Sequence, residues 1–423
     1  MSAIKQYLDL FSEHRELIDS NSAPAINSFR KEAFDILTSN PLPKAGSDNY
    51  ENFDAEKTLA PDYGLNIARL EIDVNPAASF HCDVPKLSSH PFFVINDSFA
   101  SSLSQNESLP EGIEIGSLRE FAKKEETIFS QYYGKAADIS NPMVALDTML
   151  VQDGFFLRIK KGVKLEKPLQ LVNILQNGMP LMAVRRMLII VEQGAEAKLL
   201  VCDHTQNPDI DFLSLETIEI FVEENASFDF YSLEESTVRT HRISSLYLEQ
   251  KRDSNVVIDG ITLYNGESRN EYYCKFKGED ASLRLLGMGI EDEHRSLSTF
   301  SRITHAVPRC KSDELFKYSI DDNAHGSFTG RIYVAPGAVK TEAYQSNRNL
   351  VGSENARMES KPELEIYNDD VKCSHGSATG QLDPMEMFYM RTRGIDEPTA
   401  RLLLKQAFMA DIIDGVRVDA LRD

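Results

Sequence analysis

Several protein classes are excluded by what this sequence lacks. None of its 423 residues lie in a stretch approaching the ~20 consecutive apolar positions that a membrane-spanning helix needs. The opening Met1-Ser2-Ala3-Ile4-Lys5-Gln6-Tyr7-Leu8-Asp9 has no basic segment followed by an apolar one, so no secretory signal is expected. Positive charge is short: 45 Lys and Arg stand against 66 Asp and Glu, a net charge of −21. Such a surface repels nucleic acid, whose binding depends on neutralising phosphates, and it equally disfavours anionic membrane. The five cysteines, Cys82, Cys202, Cys274, Cys310 and Cys373, are odd in number, far apart and never in a C-x-x-C pair. That argues against a disulfide framework in so long a chain and for a reducing cytoplasm. G-x-x-x-x-G-K-[ST] is absent, so no nucleotide is expected on this chain. Spacing locates no Ser/His/Asp or paired-acid arrangement, and no catalytic residue is assigned.

What is present is a hydrophobic fraction of 42%, enough for a sizeable core. Residues 1–140 read as a mainly helical region. Ile4, Tyr7, Leu8 and Phe11 recur at helical spacing, and Phe29, Ala33, Phe34 and Leu37 do so again. The second segment stops at Ser39-Asn40-Pro41-Leu42-Pro43, where two prolines end a helix. Asp48 to Asp62 reads as a polar loop, Phe92-Phe93-Val94-Ile95-Asn96 as a short strand, and Ser117 to about Tyr133 as one more helix.

Residues 141–380 change to strand patterns. Leu188-Ile189-Ile190-Val191 is a short apolar run, and Thr217-Ile218-Glu219-Ile220-Phe221-Val222 alternates. A small turn followed by such a run recurs with Val163, Ala195, Ala226, Ser254 and Ala281 at equivalent places, in steps of 32, 31, 28 and 27 residues. A later match at Pro336-Gly337-Ala338 lies 57 residues on, with an intervening turn near Arg309-Cys310-Lys311-Ser312. One such coil cannot bury both faces of its strands, whereas a stack of coils fills a continuous core. The repeat therefore suggests a right-handed parallel β-helix, and a β-sandwich or jelly roll remains open on spacing alone.

Residues 381–423 return to helical period. Asp383-Pro384-Met385-Glu386 supplies an acidic cap, Pro at the first helical position and Glu three after the cap. Arg391-Thr392-Arg393-Gly394 closes that helix. A second opens at Asp396-Glu397-Pro398, with Ala400, Leu403, Leu404, Ala407, Phe408 and Ile412 as its apolar stripe.

The run Lys361-Pro362-Glu363-Leu364-Glu365-Ile366-Tyr367-Asn368-Asp369-Asp370-Val371-Lys372-Cys373-Ser374-His375-Gly376 through Asp383 resembles the signature of the SufB/SufD family of iron–sulfur cluster assembly scaffolds. Ala343-Tyr344-Gln345-Ser346-Asn347-Arg348-Asn349-Leu350 and Phe388-Tyr389-Met390-Arg391-Thr392-Arg393-Gly394-Ile395 are similar to that family as well. The likeness is dense from Arg331 to Ile395 and thins toward the N-terminus. The chain is shorter than the usual SufB, lacks its clustered N-terminal cysteines, and has Lys372-Cys373-Ser374-His375-Gly376 where SufB tends to flank a His with acids. In these respects it resembles the SufD branch. The resemblance implies a β-helix core between helical ends and a complex with SufB and the ATPase SufC.

Cys373 and His375 are the candidate metal residues. Two apart on a strand, they share a face, and thiolate plus imidazole suits iron or an iron–sulfur cluster. Two ligands do not complete a site, so partner ligands are required. Read from the residues alone, Cys373 is equally a small buried hydrophobe and His375 a hydrogen-bonded structural residue. The resemblance implies that His375 lies at the SufB–SufD interface. Cys202-Asp203-His204 reads rather as a strand end entering a turn, His325 as part of a turn, and Cys274 and Cys310 as core. His81 and Cys82 are adjacent, so their side chains diverge in an extended strand. Phe388, Tyr389, Arg391, Arg393 and Gly394 are the candidate docking surface for SufC, or the cap of the solenoid end. The expectation is a cytoplasmic, non-catalytic scaffold, a homodimer in isolation. The alternative is a polysaccharide-acting β-helix enzyme.

Overall fold

The computed structural model describes residues 2–70, 72, 89–101 and 109–422. His81 and Cys82, expected to diverge, lie outside the described residues. The chain begins with helices α1 (Ala3–Ser20), α2 (Pro24–Asn27), α3 (Arg30–Ser39) and α4 (Ala55–Thr58). The last of these lies where a loop is expected. Its one turn is capped by Asp54, whose carboxylate accepts from the Lys57 N–H. Strands β1 (His90–Ile95), β2 (Ser98–Phe99) and β3 (Ile113–Ser117) follow, then α5 (Leu118–Lys124), α6 (Glu126–Tyr132) and α7 (Pro142–Leu150). The single helix expected over 117–133 is thus two. It breaks at Glu125, whose φ of −125° is not helical. The break lets Phe121 stack on Phe156 while Phe129 stacks on Tyr133.

Sixteen strands then wind as eight coils of two, from β4 (Gly154–Ile159) and β5 (Leu169–Leu175) to β18 (Arg357–Ile366) and β19 (Lys372–Gly380). Between them run β6 (Leu181–Val191), β7 (Glu196–Thr205), β8 (Phe212–Val222), β9 (Ser227–Glu235), β10 (Thr240–Gln250), β11 (Asn255–Tyr264), β12 (Glu267–Phe276), β13 (Ser282–Glu291), β14 (Ser296–His305), β15 (Lys311–Ile320), β16 (His325–Val334) and β17 (Glu342–Val351). Even-numbered strands from β4 on pair in parallel in a nine-stranded sheet ending at β18. Odd-numbered ones do so in a ten-stranded sheet ending at β19. The fold is a parallel β-solenoid with helices at both chain ends.

The corner from each even strand to the next odd one sets the repeat. In the first seven coils it carries a residue in the left-handed region, Gly162, Gly194, Asn225, Asp253, Asp280, Arg309 and Lys340, and the seventh corner carries Gly337 besides. Gly, Asn and Asp adopt that conformation cheaply. Arg309 does not, and its guanidinium is held by Asp280 at 2.8 Å and Glu279 at 2.5 Å, one coil back. The turn expected at Ala338 lies three residues further on. The seventh corner is longer, and Thr341, following Lys340, takes the equivalent place: its hydroxyl donates to Ala338 O as that of Ser254 donates to Lys251 O.

Inside the solenoid, alternate residues stack in register from coil to coil. One ladder runs Leu157, Ile189, Ile220, Leu248, Cys274, Ile303, Ile332 and Leu364. Away from these corners the interior turns polar. Arg185 reaches Glu216 at 2.8 Å and Asp203 at 2.5 Å, Arg242 donates to Asn270, and the Tyr318 hydroxyl donates to Thr299. The N-terminal helices pack on the outer face of the nine-stranded sheet over Phe156, Leu188, Ile190, Leu213 and Leu215. Arg186 is the rivet. It pairs with Glu219 at 3.0 Å and stacks on Tyr133, while Glu219 also accepts the N–H groups of Gly134, Ala136 and Ala137. Burial pushes the neighbouring Asp147 carboxyl up to about 8.

Candidate functional site

Both sheets end at the eighth coil. Among the described residues β18 and β19 are each paired on one side only, and neither holds a fully buried residue. Two parallel strand edges and the mouth of the interior are therefore open together. β19 pairs with β17 so that Cys373 lies beside Ala343 and His375 beside Gln345. Period-two alternation turns Cys373, His375, Ser377 and Thr379 to the interior side. Cys373 is half-buried against the apolar core. Burial pushes its thiol up from the ordinary value, and the Ala343 backbone works against that. His375 is exposed at the mouth. Among the described residues, no group of three or more His, Cys, Asp or Glu is placed to hold a metal. Cys373 and His375 are thus at most part of a ligand set.

The other candidates fall elsewhere. Cys202 faces outward, covered by Val416 and Val418 of the C-terminal segment, while Asp203 faces inward to Arg185. Cys274 and Cys310 are core residues, their thiols pushed up by burial, that of Cys310 to about 11. His325 begins β16, with Nε2 3.9 Å from a Glu359 carboxylate oxygen.

Three helices close the chain: α8 (Pro384–Thr392), α9 (Glu397–Ile413) and α10 (Asp419–Arg422). Asp383 caps α8 by accepting the Met385 N–H at 2.7 Å, yet α8 buries none of its residues. Phe388 is 63% exposed and Tyr389 58%, so neither serves as core. Arg393 lies over the Tyr389 ring, Arg391 sits 3.7 Å from Glu397, and Gly394 takes the left-handed turn between the helices. The apolar stripe of α9 differs from the expected one. Met409 is buried with Ala400 and Ile412, while Leu403 is 41% exposed. Only the far half of α9 leans on the ten-stranded sheet, fastened by Lys317, whose ammonium donates to Phe408 O and Asp411 at 2.6 Å each.

Sequence reasoning missed the polar residues beneath His375. Glu314 and Gln345 are both buried, and the Gln345 amide nitrogen donates to Glu314 at 2.6 Å. Burial pushes the Glu314 carboxyl up to about 7. Their signal was polar residues at core parity, Ser312 and Glu314 on one strand and Ala343 and Gln345 on another, visible once the register is known.

These features define a parallel β-solenoid with an open last coil and an exposed helical arm. Comparison with known proteins gives its family. Residues 174–408 match the family model described as "SUF system FeS cluster assembly, SufBD core domain", and residues 1–171 match the SufBD protein N-terminal region. The chain belongs to the SufBD family of iron–sulfur cluster assembly proteins. It is similar to an iron–sulfur cluster assembly SufBD family protein of Synechocystis (27% identical over 93% of this chain and 88% of the relative). It is similar also to iron–sulfur cluster assembly protein SufD of Escherichia coli (29% over 66% of each chain) and of Bacillus subtilis (23% over 100% of this chain and 96% of the relative). No described helix is long and apolar enough to cross a membrane.

Proposed function

We propose that the chain is a SufD-type, non-catalytic cytoplasmic subunit of a SufBCD complex. Its last coil pairs with SufB, and residues 381–423 dock the SufC ATPase through Phe388, Tyr389, Arg391, Arg393 and Gly394. Cys373 and His375 then contribute, with SufB ligands, to capturing iron or sulfur for a nascent cluster, which is cargo and not a resident cofactor. The observation that carries this reading is the eighth coil: two unpaired strand edges flank a mouth that holds a thiol and an imidazole on one face. An unpaired edge is a template for strand addition by another chain. In isolation the same edge would accept a second copy, giving a homodimer.

The test is co-expression with SufB and SufC, wild type against His375→Ala and Cys373→Ala. Cluster is read by visible absorbance and iron analysis of the purified complex. A complex that assembles with His375→Ala but carries much less iron supports the reading. Unchanged iron with both variants removes these residues from the chemistry, and failure of wild type to co-purify with SufB removes the interface.

A further inference from the structure

Cys373 and His375 sit on the last strand, and no further described strand stacks above them. What lies below determines how the imidazole is held. Glu314 of β15, Gln345 of β17 and His375 of β19 are paired in register across three neighbouring strands. All three have interior parity, and in-register neighbours lie ~4.8 Å apart, so each side chain can reach the next. Glu314 is fully buried and Gln345 is 3% exposed. With its amide nitrogen given to Glu314 Oε2, Gln345 keeps a carbonyl oxygen, Oε1, that is buried and has no hydrogen-bond partner among the described residues. A buried acceptor left in that state is costly. The next group along the file is an imidazole, which always carries at least one N–H.

The same two strands show this kind of bond already made. Asn349 of β17 and Thr379 of β19 are in register and of interior parity, and the Asn349 amide donates to the Thr379 hydroxyl at 3.1 Å. We infer that Gln345, held in place by Glu314, is a positioning residue that accepts a hydrogen bond from one ring nitrogen of His375 and so presents the other nitrogen, as a free lone pair, to the mouth of the solenoid. The inference rests on the reading of His375 as a ligand. Its chemistry is that of a metal-binding histidine fixed in one tautomer by an acceptor behind it. No charge change is required of Glu314. A neutral Gln at 314 also accepts from the Gln345 amide.

The experiment uses the full chain with imidazole-15N histidine. Long-range 1H–15N correlation reads the His375 tautomer, and His375→Asn assigns the signal. Wild type is expected to show one dominant neutral tautomer. Gln345→Leu should collapse it to the mixed pattern of a free histidine, Glu314→Leu should weaken it, and Glu314→Gln should preserve it. A wild-type ring already mixed, or one unaltered by Gln345→Leu, overturns the inference. If Gln345→Leu fails to fold by circular dichroism, the Glu314→Leu and Glu314→Gln pair decides the matter. In the co-expressed complex, Gln345→Leu should weaken iron retention against a chelator by about 10- to 100-fold. A fixed tautomer together with normal iron in His375→Ala would sink the ligand role and leave the positioning intact. The converse, iron lost with His375→Ala but no tautomer effect at Gln345, would sink only the positioning.

Discussion

The two ends of the solenoid are built from the same kind of coil and finished in opposite ways. β6 and β8, near the first end, are buried along their whole length, while β18 and β19 have no fully buried residue. At the first end β3 and β2 close the sheets with antiparallel pairing, and helices cover the nine-stranded sheet. At the last end the strands stop with their edges open. A repeat array needs both ends covered, because each coil hides only the face that its neighbour stacks upon. The bare end therefore leaves a coil face and two strand edges uncovered among the described residues, and burial differs between the ends both by neighbours and by composition: apolar Leu181–Val191 at one end, polar Lys372–Gly380 at the other.

That contrast can be broken or sharpened by measurement. The largest effect is expected at the covered end. Arg186→Leu strips the partner from buried Glu219 and Asp147 and should cost about 3–5 kcal/mol in chemical denaturation. A loss below about 1 kcal/mol would show that the helical cover is not fastened there.

Next comes one ladder cut at two depths. Ile332 is fully buried in the seventh coil and Leu364, its in-register neighbour, is half-buried in the eighth. Ile332→Ala should cost about 2–5 kcal/mol, and Leu364→Ala, with little cavity to leave, under about 1 kcal/mol in the isolated chain. Equal losses would mean that the last coil is already covered in solution, as by a second copy. Adding SufB should raise the cost of the Leu364 change.

The third concerns the C-terminal arm. Asp259 is fully buried on the outer face of β11 between Tyr231, which packs with Val416 and Val418, and Leu286, which packs with Met409 and Ile412. Burial pushes its carboxyl from 3.8 up to about 7, against the attraction of Arg284. The docked arm thus favours the protonated acid. Docking is expected to weaken as pH rises from about 4 toward 7, by at most tenfold per unit where the arm supplies all of that burial. Asp229, paired with Arg417 of the arm, also lies on this face, so Asp229→Asn is the control. Hydrogen exchange of residues 405–418 from pH 5 to 7, corrected for intrinsic rate, should show falling protection that Asp259→Asn abolishes. Protection independent of pH in wild type would refute it.

The smallest effect on stability belongs to the arm's exposed face. Phe388→Ala should change the isolated chain by no more than about 0.5 kcal/mol, since α8 buries nothing. SufC retention in a pull-down should nevertheless drop. A clear loss of stability would make Phe388 a cap for the solenoid instead of a docking residue.

The repeat was legible where corner chemistry was strict. Gly194, Asn225, Asp253 and Asp280 are residues that accept the left-handed conformation, and the strands after them alternate visibly. Arg309 and Lys340 do the same work without a turn former's signature, and in the seventh corner Gly337 supplies one three residues early, so the pattern points to Ala338 where Thr341 holds the place. On α9 the stripe through Leu403 failed because only half of the helix has a sheet beneath it, and Met409 lies on the side that does. Arg185 and Arg186, adjacent in a strand, would pass for a surface pair. Strand alternation sends one inside and one outside, and both are buried because carboxylates 18 to 39 residues away meet them.

Family resemblance singled out stacked coils over a β-sandwich or jelly roll, and by itself the sequence determined a strand-and-turn repeat between helical ends, with Cys373 and His375 two apart on one extended stretch. Those properties are local, set by side-chain period and by which residues tolerate a left-handed corner. Only the tertiary structure decided which coil is last, and hence that its edges lie open, that Glu314 and Gln345 stand beneath His375, and that Phe388 and Tyr389 face solvent. Stacking joins residues about thirty apart in the chain, and a side chain's neighbours across that distance depend on register, which no short stretch of sequence encodes.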